Sequence, residues 1–402
     1  MNNRFQKAVM MGLGYIGLPT AALIAKKGIR VSGVDVNKDV VDTINRGEIH
    51  IVEPELDGLV KYVIDEELLT ASTQPSEADV FLIAVPTPFK EDHIPDISYV
   101  ESATKMAIPF LRENNLFIIE STSPIFTTEK MAEFIYSERP ELKDKIYIAY
   151  CPERVLPGNI IYELENNDRV IGGINEKSTE AAISFYQQFV KAPLHATNSR
   201  TAEMCKLVEN SSRDVNIAFA NELSMICDKA GINVWELITL ANKHPRVNIL
   251  QPGTGVGGHC IAVDPWFIVS DFEKEAQIIR TARQINNYKT LWVIEKLKST
   301  ILKFQKDNNR LPKVALMGLA FKPNIDDLRE SPAKFVVHQM LAFGEAEYLI
   351  VEPNLKKSTE LELTNCADAW EQADIVVYLV AHREFLILKP KPGELDFCGI
   401  RK

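Results

Sequence analysis

This 402-residue chain contains six cysteines, and no two of them are close enough in sequence to form a CxxC pair. The sequence therefore offers neither a zinc ribbon nor a redox-active pair, and no His/Cys cluster has the ligand spacing of a zinc alcohol dehydrogenase. No bound metal is expected. The thiols of a chain this long are expected to be reduced, in a reducing compartment.

The chain also has no excess of positive charge and few long apolar runs. The net charge of −10 argues against a nucleic-acid partner. One uncharged run, residues 8–25, resembles a signal peptide, but three glycines and Pro19 interrupt it. No other segment approaches the length of a membrane span, so a cytoplasmic protein without a membrane partner is expected.

The first half of the chain alternates strand and helix signals. Helical stretches include 18–28, 96–111 and 127–138, and they lie between apolar runs at 7–14, 31–35, 78–88, 116–122 and 147–153. Continuous apolar strands separated by helices predict a parallel sheet that is covered on both faces.

The middle of the chain lacks strand signals, and residues 201–244 and 273–305 predict long helices. Alternation returns afterwards, with strands predicted at 313–321, 347–353 and 373–382 and a helix at 331–344. The predicted fold is α/β, with two Rossmann-like doubly wound domains joined by a central helical domain. The predicted boundaries are 1–198, 199–308 and 309–402.

The motif GLGYIG places Gly12, Gly14 and Gly17 between a strand and a helix. This spacing allows a tight turn, close approach of a pyrophosphate and close packing of helix on strand. Asp35 ends the next strand, 18 residues after Gly17. An acid there accepts hydrogen bonds from ribose hydroxyls and repels a 2′-phosphate, which favours NAD over NADP.

Threonines end two later strands, Thr87 in VPTP (85–88) and Thr122 in EST (120–122). Both belong at the carboxyl edge of the sheet, where doubly wound folds bind ligands. Contact with the cofactor and simple strand termination are equally consistent with this pattern.

Two further features carry candidate chemistry. Lys206, Asn210 and Arg213 share one stripe of a predicted helix, a pattern that by itself favours a solvated face. Cys260 lies in GVGGHCIAVDP (255–265), where glycines would admit a ligand and leave the sulfur unobstructed, and His259 adds a possible donor. A thiol beside an NAD site suggests oxidation of an aldehyde through a thiohemiacetal and a thioester.

Together these motifs resemble the UDP-glucose/GDP-mannose dehydrogenase family over nearly the whole chain. The resemblance rests on six blocks in family order: GLGYIGLP, VPTP, CPERVLPG (151–158), AEMCKLVENSSRDVNIAFANELS (202–224), GVGGHCIAVDP and GLAFKPNIDDLRESPA (318–333). It implies a four-electron oxidation of a sugar 6-hydroxyl to a carboxylate, with two NAD reduced in turn. It also implies a homodimer through the central helices.

The resemblance assigns roles by position. Cys260 would be the nucleophile, Lys206 would stabilise the oxyanion and take part in proton transfer, and Asn210 would support the same oxygen. Glu153 would act in thioester hydrolysis, and Asp264 would help to order the site water; Thr122 is counted with this catalytic set. The cofactor contacts would be Gly12, Gly14, Tyr15, Ile16, Gly17, Asp35, Thr87, Thr122 and Arg329. The sugar-nucleotide contacts would be Arg154, Val155, Lys206, Asn210, Arg213, His244, Arg246, Gly257, Phe321 and Lys322.

Within the family, CPERVLPG and GGHCIAVDPWFIV resemble the branch that oxidises UDP-N-acetyl-D-mannosamine. The branch that acts on UDP-N-acetylglucosamine shares the Gly-Gly-His-Cys form and stays an alternative, as does UDP-glucose. An alternative of another class is a non-catalytic sensor of NAD or a nucleotide sugar, because fold does not fix function. A sensor would need neither Cys260 nor Lys206.

Overall fold

The computed structural model describes residues 5–90, 94–156, 158–258, 260–355 and 357–402. The chain divides into two compact units, Met1–Val208 and Glu209–Lys402. His259 of the cysteine loop lies outside the described residues. Within those residues, no helix combines the length and the apolar character that a membrane crossing requires.

The first unit is built on one eight-stranded sheet with the order β3-β2-β1-β4-β5-β6-β7-β8. Its strands are β1 (Lys7–Met11), β2 (Arg30–Val34), β3 (Leu69–Ser72), β4 (Val80–Ile83), β5 (Leu116–Ile119), β6 (Tyr147–Tyr150), β7 (Arg169–Gly173) and β8 (Leu194–Asn198). The chain order reverses between β1 and β4, as in a doubly wound fold. All neighbouring strands pair in parallel except β6 and β7, which pair antiparallel.

Seven helices cover this sheet among the described residues: α1 (Gly17–Lys26), α2 (Lys38–Asn45), α3 (Leu56–Asp65), α4 (Ser98–Ala107), α5 (Thr127–Glu138), α6 (Ile160–Asn166) and α7 (Glu176–Tyr186). Short 3-10 helices occupy Ile108–Phe110 and Pro140–Leu142. Alternate residues of each central strand enter two separate cores, so Ala8 and Met10 pack on one face and Val9 and Met11 on the other. This double burial explains why the strands read as unbroken apolar runs.

Helix α8 (Ser199–Ala230) crosses the division between the units. The second unit continues with α9 (Val234–Ala241), α10 (Asp264–Asp271), α11 (Gln277–Asn308), α12 (Pro332–Phe343) and α13 (Cys366–Gln372). Its sheet has the order β10-β9-β11-β12, formed by β9 (Lys313–Met317), β10 (Glu347–Val351), β11 (Ile375–Tyr378) and β12 (Leu395–Asp396). All pairs in this sheet are parallel, and a 3-10 helix occupies Arg383–Phe385.

The fold class is the predicted one: α/β, with Rossmann-type sheets and a helical middle. Three details differ from the prediction, and the first is that the sequence analysis predicted no strand at β3, β7 or β8. The strands end earlier than the apolar runs, since the residues that follow them turn into loops at the sheet edge. In addition, β7 reverses direction in a sheet that the sequence predicts to be parallel throughout.

Candidate active site

The three glycines of the first turn occupy three different environments. Gly12 has φ +93°, and a Cβ there would lie 2.6 Å from the carbonyl oxygen of Ala84. A Cβ on Gly17 would lie 1.9 Å from the carbonyl oxygen of Gly12, so helix α1 packs directly on the turn. A Cβ on Gly14 would meet nothing within 4 Å. The space beside Gly14 is therefore open to a ligand that approaches the backbone.

The ribose-binding acid predicted from the sequence is well placed for that role. Asp35 follows β2 and is half-buried, and its carboxylate accepts hydrogen bonds from the backbone N–H of Leu13 at 3.1 Å and of Asn37 at 2.9 Å. It is thereby held against the glycine turn. Ile16 is the N-cap of α1 and makes no side-chain capping bond, which leaves the positive helix end available to phosphate. These residues fit a bound NAD.

Loops after β4 and β5 bring the two predicted threonines to one edge of the sheet. Thr87 and Thr122 are both half-buried. The hydroxyl of Ser121 donates to the carbonyl of Val85 at 2.8 Å and ties the two loops together. Because β4 and β5 are parallel neighbours, both threonines lie at the carboxyl edge that carries the glycine turn.

The loop after β6 holds Glu153, Arg154 and Val155. One carboxylate oxygen of Glu153 accepts the backbone N–H of Arg154 at 2.8 Å, and the other lies 2.9 Å from the guanidinium of Arg169. The Arg154 guanidinium donates to the carbonyl of Asp168. Val155 packs against one of the two sheet cores. Both arginine contacts fasten this loop to the start of β7.

A buried polar cluster surrounds this ion pair, and the sequence analysis missed it. The Arg169 cluster consists of Glu120, Cys151, Glu153, Arg169 and Tyr186. The Tyr186 hydroxyl donates to Glu120 at 2.6 Å, and the Arg169 guanidinium lies 5.0 Å from the centroid of the Tyr186 ring. Burial raises the pKa of Glu120 to about 7, and it raises the pKa of the Cys151 thiol to about 12. Glu120 stands in the motif EST, whereas no motif marks Arg169.

Lys206 lies on α8 and is half-buried. Three residues earlier, the buried carboxylate of Glu203 accepts the backbone N–H groups of Phe126 and Thr128, at 2.8 and 2.7 Å. It also accepts the hydroxyl of Thr128 at 2.6 Å. Glu203 thus fixes the first turns of α8, and with them the Lys206 backbone, to the N-terminus of α5.

In the second unit, Cys260 is exposed and lies just before α10. Its backbone carbonyl accepts the N–H groups of Val263 and Asp264, at 3.1 and 2.9 Å. Asp264 is buried, and its carboxylate accepts the side-chain amide of Asn210 at 2.6 Å. The structure therefore brings Asn210, Asp264 and the Cys260 turn together.

The glycines before Cys260 face protein rather than open space. A Cβ on Gly257 would lie 2.3 Å from the carbonyl oxygen of Glu330 and 2.9 Å from the Cβ of Phe321. Gly258 has φ +83°, and a Cβ there would lie 2.9 Å from the Phe321 ring. The sequence analysis explained these glycines by ligand approach alone. At Gly257 and Gly258 the structure adds a packing reason, because the loop lies against the segment 321–332.

The remaining predicted contacts of the second unit lie at its surface. Arg213, His244, Arg246, Lys322 and Arg329 are exposed, and Phe321 is half-buried. The Arg329 guanidinium pairs with Asp327 at 2.6 Å. The Asn242 side chain joins the two ends of the loop that contains His244 and Arg246. It donates to the carbonyl of Ile249 and accepts the Ile249 N–H.

A buried network behind the cysteine loop was also missed by the sequence analysis. Asn221 accepts the N–H of Gly253 at 2.9 Å and donates to Asn286 at 2.8 Å. Asn286 donates in turn to Asp214, which pairs with Arg283 at 2.6 Å. These side chains join α8 and α11 to the start of the glycine loop. The only sequence feature that could have pointed to this network is the series of polar residues in 202–224.

Three family models match successive parts of the chain, and all three describe the UDP-glucose/GDP-mannose dehydrogenase family. The NAD binding domain matches residues 6–190, the central domain 200–288 and the UDP binding domain 315–394.

Curated and solved relatives cover nearly the full length. The UDP-N-acetyl-D-mannosamine dehydrogenase of Campylobacter jejuni is 53% identical over 98% of this chain and 100% of its own. The NDP-N-acetyl-D-galactosaminuronic acid dehydrogenase of Ralstonia nicotianae is 51% identical over 95% of this chain and 92% of its own. The solved UDP-D-ManNAc dehydrogenase of Pyrococcus horikoshii is 35% identical with a TM-score of 0.86, covering 98% of this chain and 99% of that one.

Proposed function

Because this chain belongs to the UDP-glucose/GDP-mannose dehydrogenase family, we propose that it oxidises UDP-N-acetyl-D-mannosamine at C6 to UDP-N-acetyl-D-mannosaminuronate. The reaction removes four electrons and reduces two NAD. The observation that carries the chemistry is the exposed Cys260, one turn before the Asp264–Asn210 hydrogen bond. The choice of sugar is supported by the relatives that bear this activity in their names at 53% identity.

The cofactor is NAD, as the family of the first domain implies. When bound, NAD accepts hydride from the sugar C6. Gly12, Gly14, Gly17 and Asp35 fit its pyrophosphate and ribose. We assign further contacts to Tyr15, Ile16, Thr87, Thr122 and Arg329.

The covalent step uses the chain's own thiol. The Cys260 thiolate adds to the C6 aldehyde and gives a thiohemiacetal, whose oxidation leaves a thioester. Water then cleaves the carbon–sulfur bond, which releases the carboxylate and restores the thiol. We assign oxyanion stabilisation to Lys206 and Asn210.

Hydrolysis of the thioester needs an ordered and activated water. We assign this role to Asp264 and Glu153, with Thr122 in the catalytic set. The Asn210 amide fixes one oxygen of Asp264, and Arg169 and the Arg154 N–H hold Glu153. Carboxylates fixed in this way are suited to orienting water.

The substrate half is proposed from the same resemblance. The matched UDP binding domain supports a UDP-sugar ligand, and we assign its contacts to Arg154, Val155, Lys206, Asn210, Arg213, His244, Arg246, Gly257, Phe321 and Lys322. We also propose domain boundaries at 198/199 and 308/309, a homodimer and a cytoplasmic location.

An assay of NADH formed per sugar consumed tests the function. UDP-N-acetyl-D-mannosamine, UDP-N-acetylglucosamine, UDP-N-acetylgalactosamine and UDP-glucose are compared in parallel. We expect two NADH per UDP-N-acetyl-D-mannosamine and a kcat/KM at least tenfold higher than for the others. Another sugar at the top of that order would reassign the substrate, and no NADH from any of them would favour the sensor.

A Cys260→Ser variant separates the two oxidations. We expect it to form at most one NADH per sugar and no thioester, because the hydroxyl is a weaker nucleophile. Cys227→Ser is the matched control, since Cys227 is buried on α8 and has no assigned role. Full turnover by Cys260→Ser would exclude the thioester route.

A further inference from the structure

Arg169 is the cation of the Arg169 cluster, and no sequence motif assigns it a role. Its side chain is 4% exposed and that of Glu153 is 7% exposed, and their charged atoms lie 2.9 Å apart. A second nitrogen of the guanidinium lies 3.8 Å from the Cys151 sulfur, and the guanidinium carbon lies over the Tyr186 ring, 5.0 Å from its centroid. A buried arginine held from this many sides has little freedom to turn away from Glu153.

The direction of β7 creates this pairing. In the antiparallel ladder, Ala149 faces Gly173 and Tyr150 faces Gly172, so the numbers of facing residues sum to 322. The same register continued past the end of β6 sets residue 153 opposite residue 169. A parallel β7 would have started at the far edge of the sheet. The reversal delivers a buried cation to the edge where β4, β5 and β6 end.

We propose that Arg169 is a positioning residue for the acid-forming half of the reaction, holding the Glu153 carboxylate in a fixed orientation while that carboxylate activates water. The inference rests on the proposed function, which assigns thioester hydrolysis to Glu153. Arg169 itself touches neither substrate nor cofactor in this role. It acts through Glu153.

The hydrogen-bond count of Glu153 is consistent with that role. An ionised carboxylate has about four lone-pair sites. The Arg154 N–H donates to one of its oxygens, and the other oxygen forms an ion pair with the Arg169 guanidinium at 2.9 Å but accepts no hydrogen bond from the described residues, so sites for water remain. Removing the cation would leave a buried carboxylate without its charged partner, which is costly and would free the Glu153 side chain to turn away from this position.

The other titratable groups around the guanidinium do not compete strongly for it at neutral pH. Burial raises the pKa of Glu120 to about 7, so this carboxyl is partly protonated there. Burial likewise keeps the Cys151 thiol and the Tyr186 phenol protonated by raising the pKa of each. The charge of Arg169 is therefore directed mainly to Glu153.

The test measures thioester breakdown in single turnovers, with the acyl-enzyme followed by intact-protein mass spectrometry. The variants are Glu153→Gln, Arg169→Lys, Arg169→Met and the double variant Arg169→Met/Glu153→Gln. Arg200→Met is the matched control, because Arg200 also pairs with a glutamate and stacks on an aromatic ring, but at the surface. Thermal unfolding of every variant reports on folding.

Glu153→Gln should slow thioester breakdown by about 100-fold or more, in the range of general-base effects. Arg169→Met should slow it by about 10- to 100-fold with the first NADH formed normally. The double variant should be no more than about twofold slower than Glu153→Gln. Arg169→Lys keeps the cation and should retain a faster thioester breakdown than Arg169→Met, and Arg200→Met should match the wild type.

Losses that multiply in the double variant would overturn the inference, and so would equal losses in Arg169→Lys and Arg169→Met. Either result would leave Arg169 a structural residue. If Arg169→Met does not fold, Arg169→Lys takes its place in the comparison with Glu153→Gln, and losses that multiply in that pair would overturn the inference. A wild type that makes no NADH, or a Glu153→Gln variant with normal thioester breakdown, would overturn the proposed function or the Glu153 role, and the inference with it.

Discussion

At the scale of single residues, the glycine turn of the first unit separates two reasons for having glycine. Gly17 is required by the protein, because any side chain there would enter the backbone of Gly12. Gly14 is not required by the protein, since a methyl group there would meet no atom within 4 Å. A position that is open but still glycine indicates that a ligand takes the space.

Alanine at these two positions should therefore act differently. Gly14→Ala should keep the thermal midpoint within about 2 °C of the wild type and raise the Kd for NAD about tenfold or more. Gly17→Ala should lower the midpoint, because the added carbon would lie 1.9 Å from a backbone oxygen that cannot rotate away. Thermal unfolding and calorimetric NAD titration measure both. Equal loss of stability in the two variants would contradict this assignment.

At the scale of elements, periodicity located the elements of the central sheet and of the long helices well. The predicted helix 127–138 coincides with α5 (Thr127–Glu138), and α8 was predicted within two residues at its start. The direction of β7 was beyond that method, because a buried strand has the same apolar composition whether it is parallel or antiparallel. The Arg169–Glu153 pair depends on that direction and so could not be predicted.

The N-terminus of α5 shows a second limit of local reasoning. Its N-cap residue Phe126 has φ +74° and offers no side-chain cap. The cap comes from Glu203, more than 70 residues later in the chain. A capping motif confined to neighbouring residues cannot reveal a carboxylate that arrives from another helix.

Glu203→Ala should destabilise the first unit. It would leave the N–H groups of Phe126 and Thr128 and the Thr128 hydroxyl without this acceptor, at a cost of about 2 to 4 kcal/mol. We expect the thermal midpoint to fall by several degrees. Glu133→Ala, exposed on the same helix, is the control and should change stability by less than about 0.5 kcal/mol. Equal midpoints for both variants would refute the capping role.

At the scale of the whole molecule, each unit starts its sheet with the same local arrangement. The N–H of Leu13 bonds to Asp35 after β2, and the N–H of Leu319 bonds to Glu352 after β10 at 2.7 Å. Gly12 and Gly318 both have positive φ. The acids differ in availability, because Glu352 is buried and also accepts a bond from His382, whereas Asp35 is half-buried. Only the first arrangement leaves its acid accessible to a ribose, in keeping with NAD binding by the first domain.

Two buried acids, Glu120 in the first unit and Glu352 in the second, change the stability of the protein in opposite directions with pH. Burial would raise the pKa of Glu352, but hydrogen bonds from His382 and from backbone N–H groups outweigh it and lower the pKa to about 2. The stability that Glu352 contributes is present above its ordinary pKa of 4.5 and is lost as the pH falls toward 2. The pKa of Glu120 in the first unit is raised instead, so its effect on the stability of the protein has the opposite dependence on pH.

Glu120→Gln should therefore stabilise the protein by an amount that grows as the pH rises from about 4.5 to about 7 and is constant above that. Burial raises the pKa of Glu120 from 4.5 to about 7, so the folded state holds a proton that the unfolded chain has released, and stability declines across that range. A shift of this size corresponds to about 3 kcal/mol above pH 7. Glutamine stays neutral and can still accept the Tyr186 hydroxyl, so the increase in unfolding temperature over the wild type should be largest at pH 7 and 8, smaller at pH 6 and smallest at pH 5. Thermal unfolding at pH 5, 6, 7 and 8 tests this, with the exposed Glu180→Gln as control; a difference independent of pH would show that Glu120 is ionised throughout.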